Sequence, residues 1–319
     1  MTWPNTERIA MKKEAGFSMI ELLVAMGILI VVVGAAMGVL QRLVNSQQTI
    51  WNRTEMHAGV RSATELLQQE VGQAGRVTPL TTGLTLAVGV GTGAQTVAVT
   101  SPVGSNPVAG MFPTELVTVG YDTTQETVPL TAIDTANKTI TATFANAHAA
   151  SDPIKAAGGF SSGIVPTTVA SGSTGFVLKM FGDINSDGTP LYIEYTCDTA
   201  NGLLYRNAMA WTVGAKPMLD PSMVLLRNIT ANPANAACFT YQTQTVTING
   251  TPTPFVTDVA ITLTVQTEQV DPITKQRQRE TKALLNVSPR NIFNVWQLAS
   301  INLFDRVQPT PAVITALLP

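Results

Sequence analysis

The sequence predicts an α+β protein in which one long N-terminal helix, first transmembrane and then amphipathic, packs on a mainly β, antiparallel globular head. Three observations predict it: an unbroken apolar run from Leu22 to Leu40, apolar residues recurring at helical spacing from Met56 to Val71, and alternation of apolar and polar residues from Val77 onward. Residues 1–16 read as a leader, 17–76 as the helix with its membrane segment at 17–40, and 77–319 as a periplasmic or extracellular head.

The leader is short and basic. Met11 followed by Lys12 and Lys13 makes a complete leader by itself, so Met11 is the expected start, and the two lysines keep this end cytoplasmic. Beyond the Gly16-Phe17 junction the apolar stretch to Leu40 spans roughly 35 Å as a helix, enough for a hydrocarbon core of about 30 Å. A secretory signal has a shorter apolar core and a small-residue cleavage site on its far side, whereas this run continues directly into helical pattern. Its one charge, Glu21, needs a purpose, because a carboxylate inside a bilayer costs about 2.5 to 3.5 kcal/mol.

Met56, Val60, Ala63, Leu67 and Val71 mark one apolar face, with Arg61, Glu65, Gln68, Gln69 and Gln73 opposite, so the helix should run to about Ala74, where Gly72, Gly75 and Pro79 end the pattern. Within the membrane half, Gly34 and Gly38 have two readings: close packing of another helix, or local unwinding.

Strands are predicted at 95–100, 115–121, 139–144, 176–181, 191–196, 203–206, 240–248, 256–266 and 280–287. Asn249-Gly250 suits a turn between two of them, although Pro252 and Pro254 favour a longer loop. Val77 to Gly120 holds a single charge, Glu115, and reads as short strands and loops. Phe293, Trp296, Leu298, Leu303 and Phe304 suggest a short helix covering the sheet, with Pro309 and Pro311 marking a loose terminus.

Composition narrows the function. Only 13% of the 319 residues are charged, the net charge is -2 and no Lys/Arg run follows the leader, so no nucleic-acid partner is expected. No nucleophile elbow, phosphate loop or dinucleotide fingerprint occurs, and the two histidines, His57 and His148, sit in no catalytic pattern, so no enzyme is predicted. Cys197 and Cys238 fall on the periplasmic side, where pairing is expected; closing a loop of about 42 residues would contribute roughly 4 kcal/mol in the chain-entropy account. Two separate buried thiols are the alternative.

Residues 183–194 match the calcium-loop pattern D-x-[DN]-x-[DN]-G-x5-E. Asp183, Asn185 and Asp187 would give side-chain oxygens, Thr189 a carbonyl, Gly188 the turn and Glu194 a bidentate carboxylate. The flanks FVLKMF and LYIEYT read as strands, so Glu194 can project across a sheet instead, and an Asp/Asn/Gly-rich hairpin turn without metal is the alternative. No cofactor is required, and calcium is the one ion this loop could take.

Lys12, Lys13, Gly16, Phe17, Glu21 and the run to Leu40 together resemble the N-terminus of the type IV pilin superfamily. The resemblance implies cleavage after Gly16 by the prepilin peptidase, methylation of the new terminus at Phe17, and a role for Glu21 in engaging the N-terminal amine of a neighbouring subunit. The Asp-Gly turn with its Glu/Tyr strand, Leu204-Tyr205-Arg206, Pro289-Arg290-Asn291 and the stretch Gln69 to Arg76 resemble PilW-like minor pilins and the J-type pseudopilins of type II secretion. Implied partners are other minor and major pilins, the inner-membrane assembly platform and a tip adhesin. The implied itinerary is single-pass insertion in the inner membrane with a periplasmic head, then the fibre at the cell surface. The implied role is priming pilus assembly and capping the tip. A type II secretion pseudopilin, and from another class a membrane-anchored calcium-dependent adhesin, are the alternatives.

Overall fold

The computed structural model describes residues 16–318, apart from positions 81 and 105 and the side chain of Leu285; Met11, Lys12, Lys13 and the remaining leader before Gly16 lie outside the described residues. One helix, α1 (Met19–Gln73), runs 55 residues without a break, roughly 80 Å at 1.5 Å per residue. It passes through Gly34 and Gly38 without unwinding.

A six-stranded antiparallel sheet follows. Its strands are β1 (Thr85–Leu86), β2 (Gly93–Thr100), β3 (Leu116–Val119), β4 (Glu126–Asp134), β5 (Thr139–Phe144) and β6 (Ile154–Ala156), in the order β1-β2-β5-β4-β3-β6. It encloses a core of its own around Leu86, Val97, Val117, Leu130, Ile140 and Phe144. The second sheet has the order β11-β10-β9-β8, from β8 (Val177–Gly182), β9 (Leu191–Asp198), β10 (Leu203–Ala210) and β11 (Val224–Arg227). In the third, β14 (Thr251–Gln266) is flanked by β12 (Ile229–Thr230) and β13 (Phe239–Ile248) on one edge and β15 (Arg279–Val287) on the other. The second and third sheets share the main core with the upper half of α1 and with α2 (Arg290–Ser300). Cys197 on β9 and Cys238 just before β13 form a disulfide between the two sheets, S–S 2.05 Å.

Asn249-Gly250 forms the whole β13–β14 connection, both residues having positive φ (49° and 83°). The longer loop expected from Pro252 and Pro254 is therefore corrected. In a two-residue hairpin these prolines, opposite Thr247 and Thr245, turn their nitrogens away from β13, along an edge where β15 does not reach until Val259. No ladder bond is lost.

The loose terminus is corrected as well. Pro311 caps α3 (Ala312–Leu317), whose Ile314 and Leu317 are buried with Phe112, Phe160, Phe181 and Trp211 in a third cluster that joins the six-stranded sheet and its core, a lobe inserted after α1, to the main body. Just before it, β16 (Val307–Gln308) pairs in parallel with β7 (Gly159–Phe160). The fully buried Gln308 accepts from Leu116 N (2.8 Å) and donates to the carbonyls of Leu116 (2.7 Å) and Ala157 (2.6 Å), stitching the tail to the lobe.

At the exit of α1 three backbones meet. Gly75 N donates to the Phe181 carbonyl and Phe160 N to the Gly75 carbonyl, each at 2.9 Å. A Cβ on Gly163 would lie 2.1 Å from the Gly75 Cα, so this crossing requires glycine.

Candidate functional site

The candidate site is α1 itself, because its two halves face different surroundings. Every residue from Gly16 to Val44 is exposed, including Phe17, Ile20, Leu23, Leu29 and Val31. The head covers none of this apolar surface. Among the described residues α1 is the one helix long and apolar enough to cross a membrane, and it stands near the N-terminus.

At its start Ser18 is the N-cap: its Oγ accepts from Ile20 N at 3.3 Å. Glu21 Oε2 in turn accepts from Ser18 N at 3.1 Å, completing a capping box. The carboxylate is thereby folded back to within one residue of Phe17. The macrodipole also favours an anion there. Glu21 thus has a local partner in this chain.

The upper half is gripped. Val60, Ala63, Leu67 and Val71 are buried in the main core, the face that the sequence pattern marks. Sequence reasoning missed Glu70 as part of that face. Only 3% exposed, Glu70 accepts from Arg206 Nε (3.0 Å to Oε1) and Nη2 (2.5 Å), and from the Tyr195 hydroxyl (2.5 Å). Burial pulls the Arg206 guanidinium down, and its bond and charge contact with Glu70 more than offset this. Burial, then the Glu70 charge, push the Tyr195 phenol far above its ordinary value. A detectable signal existed, since Glu70 continues the spacing of Ala63 and Leu67 and so puts a carboxylate on an apolar face. Arg290 begins α2 and lines a groove of about 530 Å³ with Gln69, Gln73 and Asn286.

The calcium-loop residues are only partly brought together. Asp183 to Thr189 lie in the β8–β9 connection, which ends at Pro190: Asp183 Oδ1 accepts from Gly188 N (3.2 Å) and Asp187 Oδ1 from Thr189 N (2.8 Å), with Asn185 and Asp187 exposed. Glu194 lies elsewhere, and its place as the twelfth-position ligand is corrected. Because the flank is strand, not helix, its Oε2 meets Lys216 Nζ at 3.0 Å, the Tyr192 hydroxyl at 3.0 Å and Lys179 Nζ at 3.8 Å. Lys179 also donates to the carbonyls of Ser171 (2.9 Å) and Leu318 (2.5 Å), which ties the tail to this buried pair. Among the described residues no three His, Cys, Asp or Glu side chains gather as a metal cluster.

Comparison with known proteins adds one positive finding. The prokaryotic N-terminal methylation motif matches residues 11–37. No curated protein and no solved structure matches the chain. The motif marks a prepilin-type N-terminal signal, and together with the exposed apolar helix and the β head it supports a type IV pilin-like or pseudopilin-like protein.

Proposed function

We propose that this protein is a minor pilin of a type IV pilus, cut after Gly16 by the prepilin peptidase and methylated at Phe17. Held in the inner membrane by the lower half of α1 with its head in the periplasm, it then enters the fibre through that same surface. The observation that carries the reading is the 26-residue stretch Met19–Val44, wholly exposed and opening on a Gly-Phe junction with a capping Glu21 inside the methylation motif. Exposed apolar helix of that length is stable only in lipid or against other helices. The same surface can serve in turn for both.

A priming or tip position suits the bulk of the head, whose inserted lobe adds a sheet of six strands with a separate core. Repeated at every step of a lattice, a two-lobed head would crowd its neighbours; at a tip it has room and could receive an adhesin. A type II secretion pseudopilin carries the same processing signal and is the competing reading. Loss of protein secretion without loss of pili in a deletion strain would select it.

Intact and N-terminal mass analysis of the protein from membranes and from sheared surface fibres tests the proposal, with a Glu21→Ala strain alongside. The expected result is a methylated Phe17 terminus, present in fibres and depleted from them in the variant. An uncleaved chain confined to membranes would overturn it.

A further inference from the structure

Asp183 is 1% exposed, yet its Oδ2 has no hydrogen-bond partner, and no Lys, Arg or His nitrogen among the described residues lies within 4 Å of the carboxylate. Buried carboxylates are ordinarily paired, hydrogen-bonded on both oxygens or bound to a cation. The other oxygen binds Gly188 N, which aims the group into the loop that Asn185, Asp187 and Thr189 complete. Ser186 and Gly188 both have positive φ, 59° and 83°, and curl the loop around that carboxylate. Arg76 donates to Ser186 Oγ without reaching Asp183.

We propose that the loop Asp183–Thr189 is a calcium site anchored by Asp183, with Asn185, Asp187 and the Thr189 carbonyl as further ligands and water in the remaining positions. An all-oxygen set on a pliable loop suits calcium, which accepts irregular coordination at 2.3–2.6 Å, better than magnesium, which demands a near-ideal octahedron. With Glu194 committed to Lys216, the site has two carboxylates rather than three, and weak affinity follows, with a Kd of about 0.1 to 1 mM. Its position gives the ion a consequence. Asp183 N donates to the Arg76 carbonyl at 2.9 Å, and a Cβ on Gly182 would lie 2.8 Å from that same carbonyl, so the loop is built against the exit of α1. Bound calcium would stiffen the joint between helix and head. A pilin and an anchored adhesin would carry the site alike.

The test uses the full chain in detergent micelles, stripped with a chelator and titrated with calcium chloride by calorimetry, with the unfolding temperature followed in parallel. One-site binding is expected, together with a rise in unfolding temperature once calcium reaches roughly ten times the Kd. Asp187→Ala changes an exposed side chain, so it should fold as the parent does and weaken binding by roughly tenfold or more. Asp183→Asn should abolish it. The site is refuted by absence of heat and shift in the parent chain, or by an undiminished shift in Asp187→Ala. An equal shift with magnesium chloride would overturn the assignment to calcium.

Discussion

Leu29 and Leu67 stand on the same unbroken helix, yet one is 59% exposed and the other fully buried. The lower leucine belongs to a surface apolar on every side; the upper belongs to one stripe of an amphipathic turn that the head encloses. Residue type and secondary structure are equal, so the difference lies in where the partners are. For the upper half they are in the chain itself: β11, β14, β15 and α2. For the lower half they must be supplied from outside, by lipid and by other helices.

The grip of the head on α1 can be released at its polar centre. Glu70→Ala leaves Arg206 without its partner in a largely enclosed position, and removing one member of a buried pair costs about 3 to 5 kcal/mol. Urea unfolding of the full chain in micelles should show that loss. A variant as stable as the parent would mean that the pair does not secure α1.

The two leucines make the next test. Leu67→Ala should destabilise the head by about 2 to 5 kcal/mol through the cavity it leaves. Leu29→Ala should leave head unfolding within about 0.5 kcal/mol of the parent, as exposed positions do. Equal effects on chemical denaturation would erase the distinction between the halves.

A smaller effect concerns Glu115, the lone charge between Val77 and Gly120, which sits buried where the lobe meets the third core cluster. Burial pushes its carboxyl up to about 8, partly countered by the bond from Phe112 N. The unfolded chain therefore loses this proton first as pH rises. Between the ordinary value of 4.5 and about 8 the folded state holds the extra proton, so its stability falls by about 1.4 kcal/mol per pH unit. Glu126 works in the opposite direction: burial raises its carboxyl, but bonds from Asn146 N and Ala145 N and the His148 contact lower it overall, a contribution lost as pH falls. Comparing the parent with Glu115→Gln isolates the first effect, and identical pH profiles would refute it. By contrast, Glu115→Gln should not change the behaviour of the lower helix.

Much of the upper-half grip was legible in sequence because helical spacing records burial: Met56, Val60, Ala63, Leu67 and Val71 pointed at the head before any strand was placed. Longer strands were legible for the same reason, by alternation. Most of what stayed hidden lacked a local signature. Strand β4 carries Pro129 and charges at both ends, features that argue against a strand. Pairs such as β7 with β16 are two residues long and exist only because distant segments meet. Glu70 finds Arg206 across 136 residues, a match that no periodicity encodes. Pro311 looked like an ending when it opens α3, since proline suits the start of a helix as well as a loose tail. At the candidate site, Gly16, Phe17 and Glu21 stood out through their resemblance to a prepilin-type signal, and the strands flanking residues 183–194 already allowed Glu194 to project across a sheet, whereas its partners Lys216 and Lys179 emerged only with the fold.

The lower half of α1 has no cover within its own chain and must find its partners outside it. Photo-crosslinking in cells from a photoreactive amino acid at position 29 tests it most directly, with position 67 as the internal comparison. Adducts to other pilin subunits are expected from position 29 in sheared fibres, and only crosslinks within the chain from position 67. Absence of intersubunit adducts from position 29, in a chain that is folded and processed, would contradict it.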